Sequence, residues 1–221
     1  MRMMLAFAFA MTAAAPQAKD NTPPEGFEAL FNGKDLTGWQ GLVEIHKREK
    51  DPEKLAAQIK AASEKTLSHW KVEDGVIHFD GKAPSLQTTK DYGDVELWVD
   101  WKIKKNGDSG IYLRGQPQVQ IWDPDNKPAG GVGSGGLYNN QKSPSKPLKR
   151  ADKPIGEWNT FRIVMKGDVC NIWLNGELVV KDTPLENYHK WGEPLPATGP
   201  IELQNHGDEL WFKNIYLKEL K

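Results

Sequence analysis

The amino-acid sequence predicts an all-β protein, a β-sandwich of two antiparallel sheets with one inserted surface helix. Two observations carry this prediction. From Trp70 onward, every segment either alternates apolar and polar residues or contains a turn signal, which gives roughly ten or more short strands at the spacing typical of sandwiches. Only residues 51–65 have a convincing helical pattern.

The composition fits one such domain and excludes several classes of partner. The 221 residues are 38% hydrophobic and include 9 Trp, which is enough for one sizeable core. The formal net charge is -1 with both signs mixed along the chain, so we expect no nucleic-acid partner. Cys170 is the single cysteine and cannot form an internal disulfide; its strand-like surroundings predict a small core residue.

The first residues have the pattern of a secretory signal peptide. Residues 1–15 combine Arg2, an apolar stretch and a run of small residues, and the stretch is too short to cross a membrane. Residues 16–25 are polar and contain prolines, which predicts a linker. Residues 26–221 are then a single β-sandwich domain. We therefore expect a secreted protein, periplasmic or extracellular, with no membrane span.

The domain begins with a predicted strand and a tight loop that ends at Trp39. A helix follows over residues 51–65, where Asp51 can cap the first turn and Pro52 suits the first helical position. Its apolar stripe is narrow, which is typical of a helix that lies on the surface. We predict an insertion that covers one end of the sheets.

The rest of the chain is a series of strand and turn signals. Turns are predicted at Asp74-Gly75, Gly167-Asp168 and Asn175-Gly176, between segments that alternate apolar and polar residues. A long loop over residues 127–154, rich in Gly, Ser and Pro, interrupts this series, and loops of this length are commonly functional or disordered. Its glycine run lacks the Gly-Lys-Ser/Thr of a phosphate loop, which argues against nucleotide binding.

Residues 108–123 contain the pattern that is most specific for function. They predict a hairpin whose apolar residues alternate with amides, aromatics and one arginine. Amides and arginine make directional hydrogen bonds, and aromatic rings offer flat apolar surface to the C–H face of a sugar. This suggests a carbohydrate site, and a plain solvated sheet face is the alternative interpretation. The polar residues concerned are Tyr112, Arg114, Gln118, Gln120, Trp122 and Asp123.

A late segment, residues 202–207, contains a second candidate group. Gln204 and His206 are two residues apart in a strand-like pattern and so point to one face. A histidine beside an amide suits general acid/base chemistry, and a histidine that caps a strand end is the alternative. The other four histidines have no polar cluster around them in the sequence.

Motifs of serine hydrolases and of zinc sites are absent from the sequence. The acidic turn at residues 123–126 leaves calcium open as an alternative, but acidic turns are common in proteins without an ion. We therefore predict no metal and no cofactor.

Several segments together resemble the 3-keto-disaccharide hydrolase family. The likeness runs in order from about Gly26 to Leu220 and includes SGIYLRG followed by VQIWD, a Gly-x-Tyr after the glycine loop, and LQNHG. It implies a concanavalin A-like (lectin/glucanase) jelly roll, usually exported, that cleaves glycosides already oxidised at C3. A 3-keto group acidifies the C2 proton, so a base can remove it, the C1 substituent can leave, and water can add back. This route needs one base, an acid for the leaving oxygen, and donors for the enolate.

The resemblance also implies roles for individual residues. Arg114 is expected to donate to the enolate or ring oxygen, His206 or Asp123 to act as base, and Tyr138 to act as acid. Amides are expected to orient sugar hydroxyls, and an aromatic side chain to stack on the ring. The expected substrate-binding residues are Trp39, Gln118, Gln120, Trp122 and Gln204.

One position departs from the family pattern. A glutamate often stands where this chain has Gln118, and an amide cannot exchange protons as a carboxylate does. The alternative function is therefore a non-catalytic carbohydrate-binding module with the same fold. A carbohydrate is the expected partner in both cases, and the sequence leaves the oligomeric state open.

Overall fold

Two antiparallel sheets, here called sheet A and sheet B, pack face to face in the structure, a computed structural model that describes residues 20–126 and 130–221. The predicted signal peptide and residues 16–19 of the predicted linker lie outside these residues. The two sheets and the one α-helix confirm the predicted all-β sandwich of the jelly-roll class. The strands are β1 Glu28–Ala29, β2 Trp39–Gly41, β3 Trp70–Glu73, β4 Val76–Phe79, β5 Leu86–Thr88, β6 Val95–Ile103, β7 Asp108–Leu113, β8 Gln116–Trp122, β9 Asn159–Lys166, β10 Val169–Leu174, β11 Glu177–Pro184, β12 Glu202–Leu203 and β13 Leu210–Glu219.

The strand order shows how distant segments meet. Sheet A has the order β11-β10-β9-β6-β13-β4-β3, and β1 adds to β13. Sheet B has the order β2-β5-β12-β7-β8, so the late strand β12 lies between two early ones. The predicted hairpin of residues 108–123 is therefore β7 and β8, at one edge of sheet B.

The core lies between the sheets because each long strand alternates buried apolar residues with polar ones, as β6 does over its nine residues. Burying these side chains removes apolar area from water, which stabilises the fold by roughly 25 cal/mol per Å². The side chains with no exposed area include Ile77, Leu97, Val99, Phe161 and Phe212 from sheet A, and Leu86, Ile111, Val119, Ile121 and Leu203 from sheet B.

The one α-helix of the described residues, α1, spans Pro52–Thr66, one residue away from the prediction at each end. Asp51 caps it by accepting hydrogen bonds from the backbone N–H groups of Glu53 and Lys54. The helix packs tightly on β2, since a Cβ at Gly41 would lie 2.5 Å from the backbone of Ala62.

Trp39 lies in the core rather than on the outer face of sheet B. Its side chain is 4% exposed, and its indole N–H donates to the carbonyl oxygen of Leu30 at 2.7 Å. The ring belongs to the hydrophobic core between the sheets, so it does not lie on the face that carries Gln40. This placement corrects the expectation that Trp39 is a stacking residue, because a strand tryptophan suits the core as well as it suits a ligand.

The glycine loop extends sheet B beyond β8. Gly135 donates to the carbonyl oxygen of Gln120, Gln120 donates to that of Gly136, and Leu137 bridges to Val119. The loop therefore runs along the free edge of β8 and brings Tyr138 next to the outer face of sheet B.

Candidate functional site

The outer face of sheet B carries a continuous row of polar side chains. Gln40 pairs with Gln87, Gln87 with Glu202, and Glu202 with Tyr112 across four neighbouring strands. Residues directly opposite one another in a sheet share a face, and the adjoining residues Leu86 and Leu203 fill the core on the other side. The register between neighbouring strands aligns these residues, so no single segment of the sequence reveals the row.

A second row lies beside the first. The backbone N–H of Gln204 donates to the carbonyl oxygen of Gly110, and Gly110 pairs with Gln120. A Cβ at Gly110 would lie 3.1 Å from both the Gln118 and the Gln204 amide groups. Glycine is therefore needed at this position so that the two amides can approach each other. Gln204 also donates to the Tyr112 hydroxyl at 3.2 Å, which joins the two rows.

Asp108 and His206 lie next to each other on this face. The Asp108 Oδ2 lies 3.7 Å from the His206 Nδ1, and its Oδ1 accepts a hydrogen bond from Gln120 at 2.7 Å. Burial raises the pKa of the Asp108 carboxyl; the nearby His206 and the Gln120 hydrogen bond oppose this rise. The His206 side chain is 56% exposed and lies between the partly buried Asp108 carboxylate and solvent. A partly desolvated carboxylate beside a histidine suits proton transfer.

Gln118 belongs to the same chain of hydrogen bonds. Its amide N–H donates to Gln120, which in turn donates to Asp108. The carboxylate of this face is therefore at position 108, one strand away from Gln118. The amide at position 118 orients that carboxylate through Gln120.

Glu202 is a second acid, with a different electrostatic environment. It is 3% exposed, and burial raises its pKa to about 8, with a smaller contribution from the nearby Glu44 carboxylate. Burial likewise raises the pKa of the Tyr112 hydroxyl above its usual range. Near neutral pH both groups are protonated and can donate hydrogen bonds.

Several buried polar atoms of this face have no partner within the described part of the chain. Gln87 is fully buried, yet neither its Oε1 nor its Nε2 is hydrogen-bonded, and the Gln204 Oε1 is also unpaired. Each such atom costs about 1–3 kcal/mol if nothing pairs with it. Buried polar groups normally have a partner, so these atoms leave hydrogen-bonding capacity on this face for an ordered water or a polar ligand.

Trp122 and Tyr138 form an aromatic corner beside Gln120. Their rings are 5.2 Å apart at 73°, an edge-to-face contact, and the Trp122 indole N–H donates to Gly133. Tyr138 is 54% exposed. A cavity of about 180 Å³ lies here and is lined by Gln120, Trp122, Tyr138 and Lys146 among others. The corner offers ring surface next to the hydrogen-bonding rows.

Arg114 lies apart from these groups, in the turn between β7 and β8. Its guanidinium is bound by the Asp94 carboxylate at 2.5 Å and by the carbonyl oxygens of Gly93 and Pro196. The residue is 6% exposed and has a φ of +53°. Its charge is therefore used to hold the turn, which corrects the expectation that Arg114 donates to a substrate oxygen.

Asp123 also has a structural environment. It is buried, and its carboxylate accepts hydrogen bonds from the backbone N–H groups of Asn106 and Asp125. Asp125 in turn pairs with Arg150 at 2.6 Å. These contacts close the turn after β8, so they favour neither a base at Asp123 nor a calcium site in this turn.

A separate group of possible metal ligands lies at the other end of the hairpin. Glu44, His46 and His189 each place one ligand atom within 4.8 Å of the others. The sequence provided no signal for this group, because His189 is far from the other two along the chain.

The chain matches the family described as the 3-keto-alpha-glucoside-1,2-lyase-like domain over residues 26–218. It is 27% identical to a 3-keto-disaccharide hydrolase from Bacteroides thetaiotaomicron, over 89% of this chain and 79% of that protein. A crystal structure of a proposed glycosyl hydrolase from Parabacteroides distasonis superposes with a TM-score of 0.68 at 26% identity, over 92% of this chain and all of the other. A second structure from that organism, at 24% identity and a TM-score of 0.68, has the same fold.

The sequence predicts no membrane-spanning segment. Within the described residues, no helix is both long enough and apolar enough to span a bilayer.

Proposed function

Since the chain belongs to the 3-keto-alpha-glucoside-1,2-lyase-like family, we propose that this glycoside-cleaving enzyme acts on glycosides oxidised at C3, with the outer face of sheet B as its active site. The observation that carries the assignment of the site is the Asp108–His206 pair beside buried amides whose hydrogen-bonding atoms are unpaired. Ordinary glycosidases use two carboxylates at defined separations on either side of the bond. The proposed chemistry needs one base and donors for an enolate.

The base acts on the C2 proton of the substrate. Asp108 removes this proton, and the electron pair of the C–H bond moves into a C2–C3 enolate whose charge lies on the C3 oxygen. His206, next to Asp108 and open to solvent, relays the proton outward. The enolate then re-forms the C3 ketone as the C1–O bond breaks, which leaves a C1–C2 double bond.

Neutral donors stabilise the enolate. The Glu202 carboxyl, protonated near neutral pH, and the Gln204 amide supply hydrogen bonds that strengthen as negative charge develops. A buried carboxylic acid kept neutral is well suited to this role. Water then adds to C1 and a proton returns to C2, so that the net reaction is hydrolysis to a 3-keto sugar and an alcohol.

The leaving group lies at the aromatic corner in this proposal. Trp122 and Tyr138 border the cavity next to Gln120. In this proposal the exposed Tyr138 hydroxyl donates a proton to the departing oxygen. The hydrogen-bonding rows hold the oxidised ring, and the corner contacts the aglycone.

The activity is tested with purified protein and 3-keto-trehalose, followed by mass spectrometry. Release of 3-keto-glucose is expected, with no cleavage of unoxidised trehalose. Equal cleavage of both sugars, or binding without turnover under conditions in which a related enzyme succeeds, would contradict the proposal. Asp108→Asn should slow turnover by about 10²–10⁴-fold, whereas Glu96→Gln on sheet A is the matched control.

The route through C2 is tested in D₂O. Elimination followed by hydration places deuterium at C2 of the released sugar, while direct displacement at C1 leaves hydrogen there. The released sugar alone, kept in D₂O for the same time, controls for exchange without the enzyme.

Export is proposed from residues 1–15 of the sequence, which have the pattern of a signal peptide. Expression of the full chain followed by N-terminal sequencing should give a mature start near residue 16. An unprocessed chain that stays in the cytoplasm would contradict this.

A further inference from the structure

Glu44, His46 and His189 form a cluster that the proposed chemistry does not use. The two imidazole rings have centroids 4.1 Å apart at 32°, and the Glu44 Oε2 lies 3.2 Å from the His46 Nε2. All three candidate ligand atoms lie within 4.8 Å of one another. Small side-chain adjustments would bring them to the separations found around one ion.

A backbone carbonyl of the β7–β8 turn contacts His189. The His189 Nε2 lies 3.3 Å from the Gly115 carbonyl oxygen. When Nε2–H donates to that oxygen, Nδ1 keeps its lone pair and can bind a metal. Metal-ligating histidines are usually oriented in this way by a carbonyl or carboxylate on the other ring nitrogen.

The segment that carries Glu44 and His46 is fixed to the same turn. A Cβ at Gly115 would lie 3.3 Å from the Ile45 side chain, so the two segments are in close contact. His46 belongs to the single 3-10 turn Ile45–Lys47. The cluster is therefore held against an ordered hairpin.

The cluster differs from the other histidine contacts of the described residues. His69 with Asp80, and His78 with Glu209, are each a histidine next to a carboxylate, which an ordinary ion pair explains. Here two imidazoles face each other beside one carboxylate. Two protonated imidazoles at this distance would repel, whereas two neutral ones can share a cation.

We propose that Glu44, His46 and His189 bind one divalent transition-metal ion of the zinc class. Imidazole nitrogen is a ligand for zinc, iron, cobalt or nickel rather than for calcium or magnesium. Three protein ligands leave at least one coordination position open, as in catalytic zinc sites. A cavity of about 330 Å³ adjoins the cluster and is lined by Ile45, His46, Gln116 and His189 among others, so the open position has room for water or a substrate oxygen.

The proposal rests on ligand geometry and is independent of the proposed glycoside cleavage. Its test therefore uses metal binding alone. Protein freed of metal by a chelator is titrated with Zn²⁺ in a calorimeter, and with Co²⁺ by visible absorption. One equivalent is expected to bind, with the absorption bands of Co²⁺ bound to nitrogen and oxygen.

Variants locate the site. His46→Ala and His189→Ala should each weaken Zn²⁺ binding by more than about 100-fold, since even the partners that orient metal ligands are worth 10–100-fold. His69→Ala is the matched control, because it removes a histidine of similar exposure that also contacts a carboxylate. It should leave Zn²⁺ affinity unchanged.

NMR of the unmodified protein covers the case in which a variant fails to fold. The imidazole signals of His46 and His189 should shift on addition of Zn²⁺, while those of His69 stay in place. The proposal is wrong if no one-to-one binding is seen, or if binding persists in both variants. It is also wrong if Zn²⁺ shifts the signals of His69 rather than those of His46 and His189.

Discussion

The outer faces of the two sheets are both rich in aromatic and polar residues, yet they differ in how those residues are paired. On sheet A, the Lys102 ammonium lies 4.7 Å from the Trp211 ring centre and 5.1 Å from that of Trp158. Arg162 lies over Trp173 and binds Glu96 at 2.7 Å. Cations of the protein thus cover these rings and satisfy the nearby carboxylate.

On sheet B the polar groups lie close together, but they do not satisfy all of one another's hydrogen bonds. Gln87 and Gln204 keep unpaired atoms, Glu202 is a buried acid with a raised pKa, and Tyr138 presents an uncovered ring. Aromatic and polar composition is therefore a poor guide to a site. Unpaired hydrogen-bonding groups distinguish the outer face of sheet B from that of sheet A.

The largest expected effect is on catalysis, and it compares one carboxylate on each face. Asp108→Asn should lower kcat/KM by about 10²–10⁴-fold, the usual contribution of a positioned acid or base. Glu96→Gln on sheet A should leave kcat/KM unchanged. Steady-state kinetics with a 3-keto disaccharide measures both, and circular dichroism checks the fold. Equal losses in the two variants would remove the distinction between the faces.

The second effect concerns stability and pH. The pKa of Glu202 is about 8 in the folded chain against an ordinary value of 4.5. The folded state therefore holds a proton that the unfolded state loses, and this stability is fully present below about pH 4.5 and is lost as pH rises to 8. One such proton lowers the free energy of unfolding by about 1.4 kcal/mol per pH unit within that window.

Glu202→Gln should remove this slope. Urea unfolding at pH 5, 6.5 and 8 compares the variant with the wild type, and the contribution of Asp108 is common to both. Glu96→Gln should leave the slope in place, because the Arg162 guanidinium and the Trp98 indole overcome burial and lower the pKa of Glu96. Parallel wild-type and Glu202→Gln curves would show that Glu202 is ionised in the folded protein.

The third effect compares two buried amides. Asn159 at the start of β9 accepts hydrogen bonds from Lys153 and Asn175, so Asn159→Leu should destabilise the fold by about 1–3 kcal/mol. Gln87→Met removes two unpaired atoms and should be neutral or stabilising, while it raises KM. Thermal unfolding and kinetics provide the two readouts. A large loss of stability in Gln87→Met would mean that this amide serves the fold.

The smallest effect tests the paired face. Lys102→Met removes one of the two lysines over each of two tryptophan rings, since Lys104 stays over Trp211 and Lys213 over Trp158. It should cost about 0.5 kcal/mol of stability at an exposed site. Catalysis should be unchanged, since sheet A has no role in the proposed reaction. A clear rise in KM would indicate that sheet A contacts the substrate.

The sequence was sufficient for the features that depend on local pattern. The strands, the single helix and the 108–123 hairpin follow from periodicity and turn chemistry, and the resemblance pointed to Gln120, Gln204 and Tyr138. Gln120, Trp122, Gln204 and His206 also lie around one face in the structure.

The residues that were missed depend on strand order and on partners distant in the chain. Glu202 and Gln87 meet only because β12 inserts beside β5. The hairpin pattern and the family resemblance both point to Arg114 as a site residue, whereas its partner Asp94 lies on another segment and is not visible in that pattern. Asp108 was detectable by continuing the alternation of Tyr112 and Gly110 backwards, but a strand-initial Asp more often belongs to a turn.

The central claim is that the outer face of sheet B binds the oxidised sugar. The most direct test is NMR of the Asp108→Asn variant, which should bind 3-keto-trehalose without consuming it. The account predicts that the Trp122 indole signal shifts, while those of Trp98 and Trp211 on sheet A do not. Shifts at Trp98 and Trp211 with an unchanged Trp122 signal would contradict it.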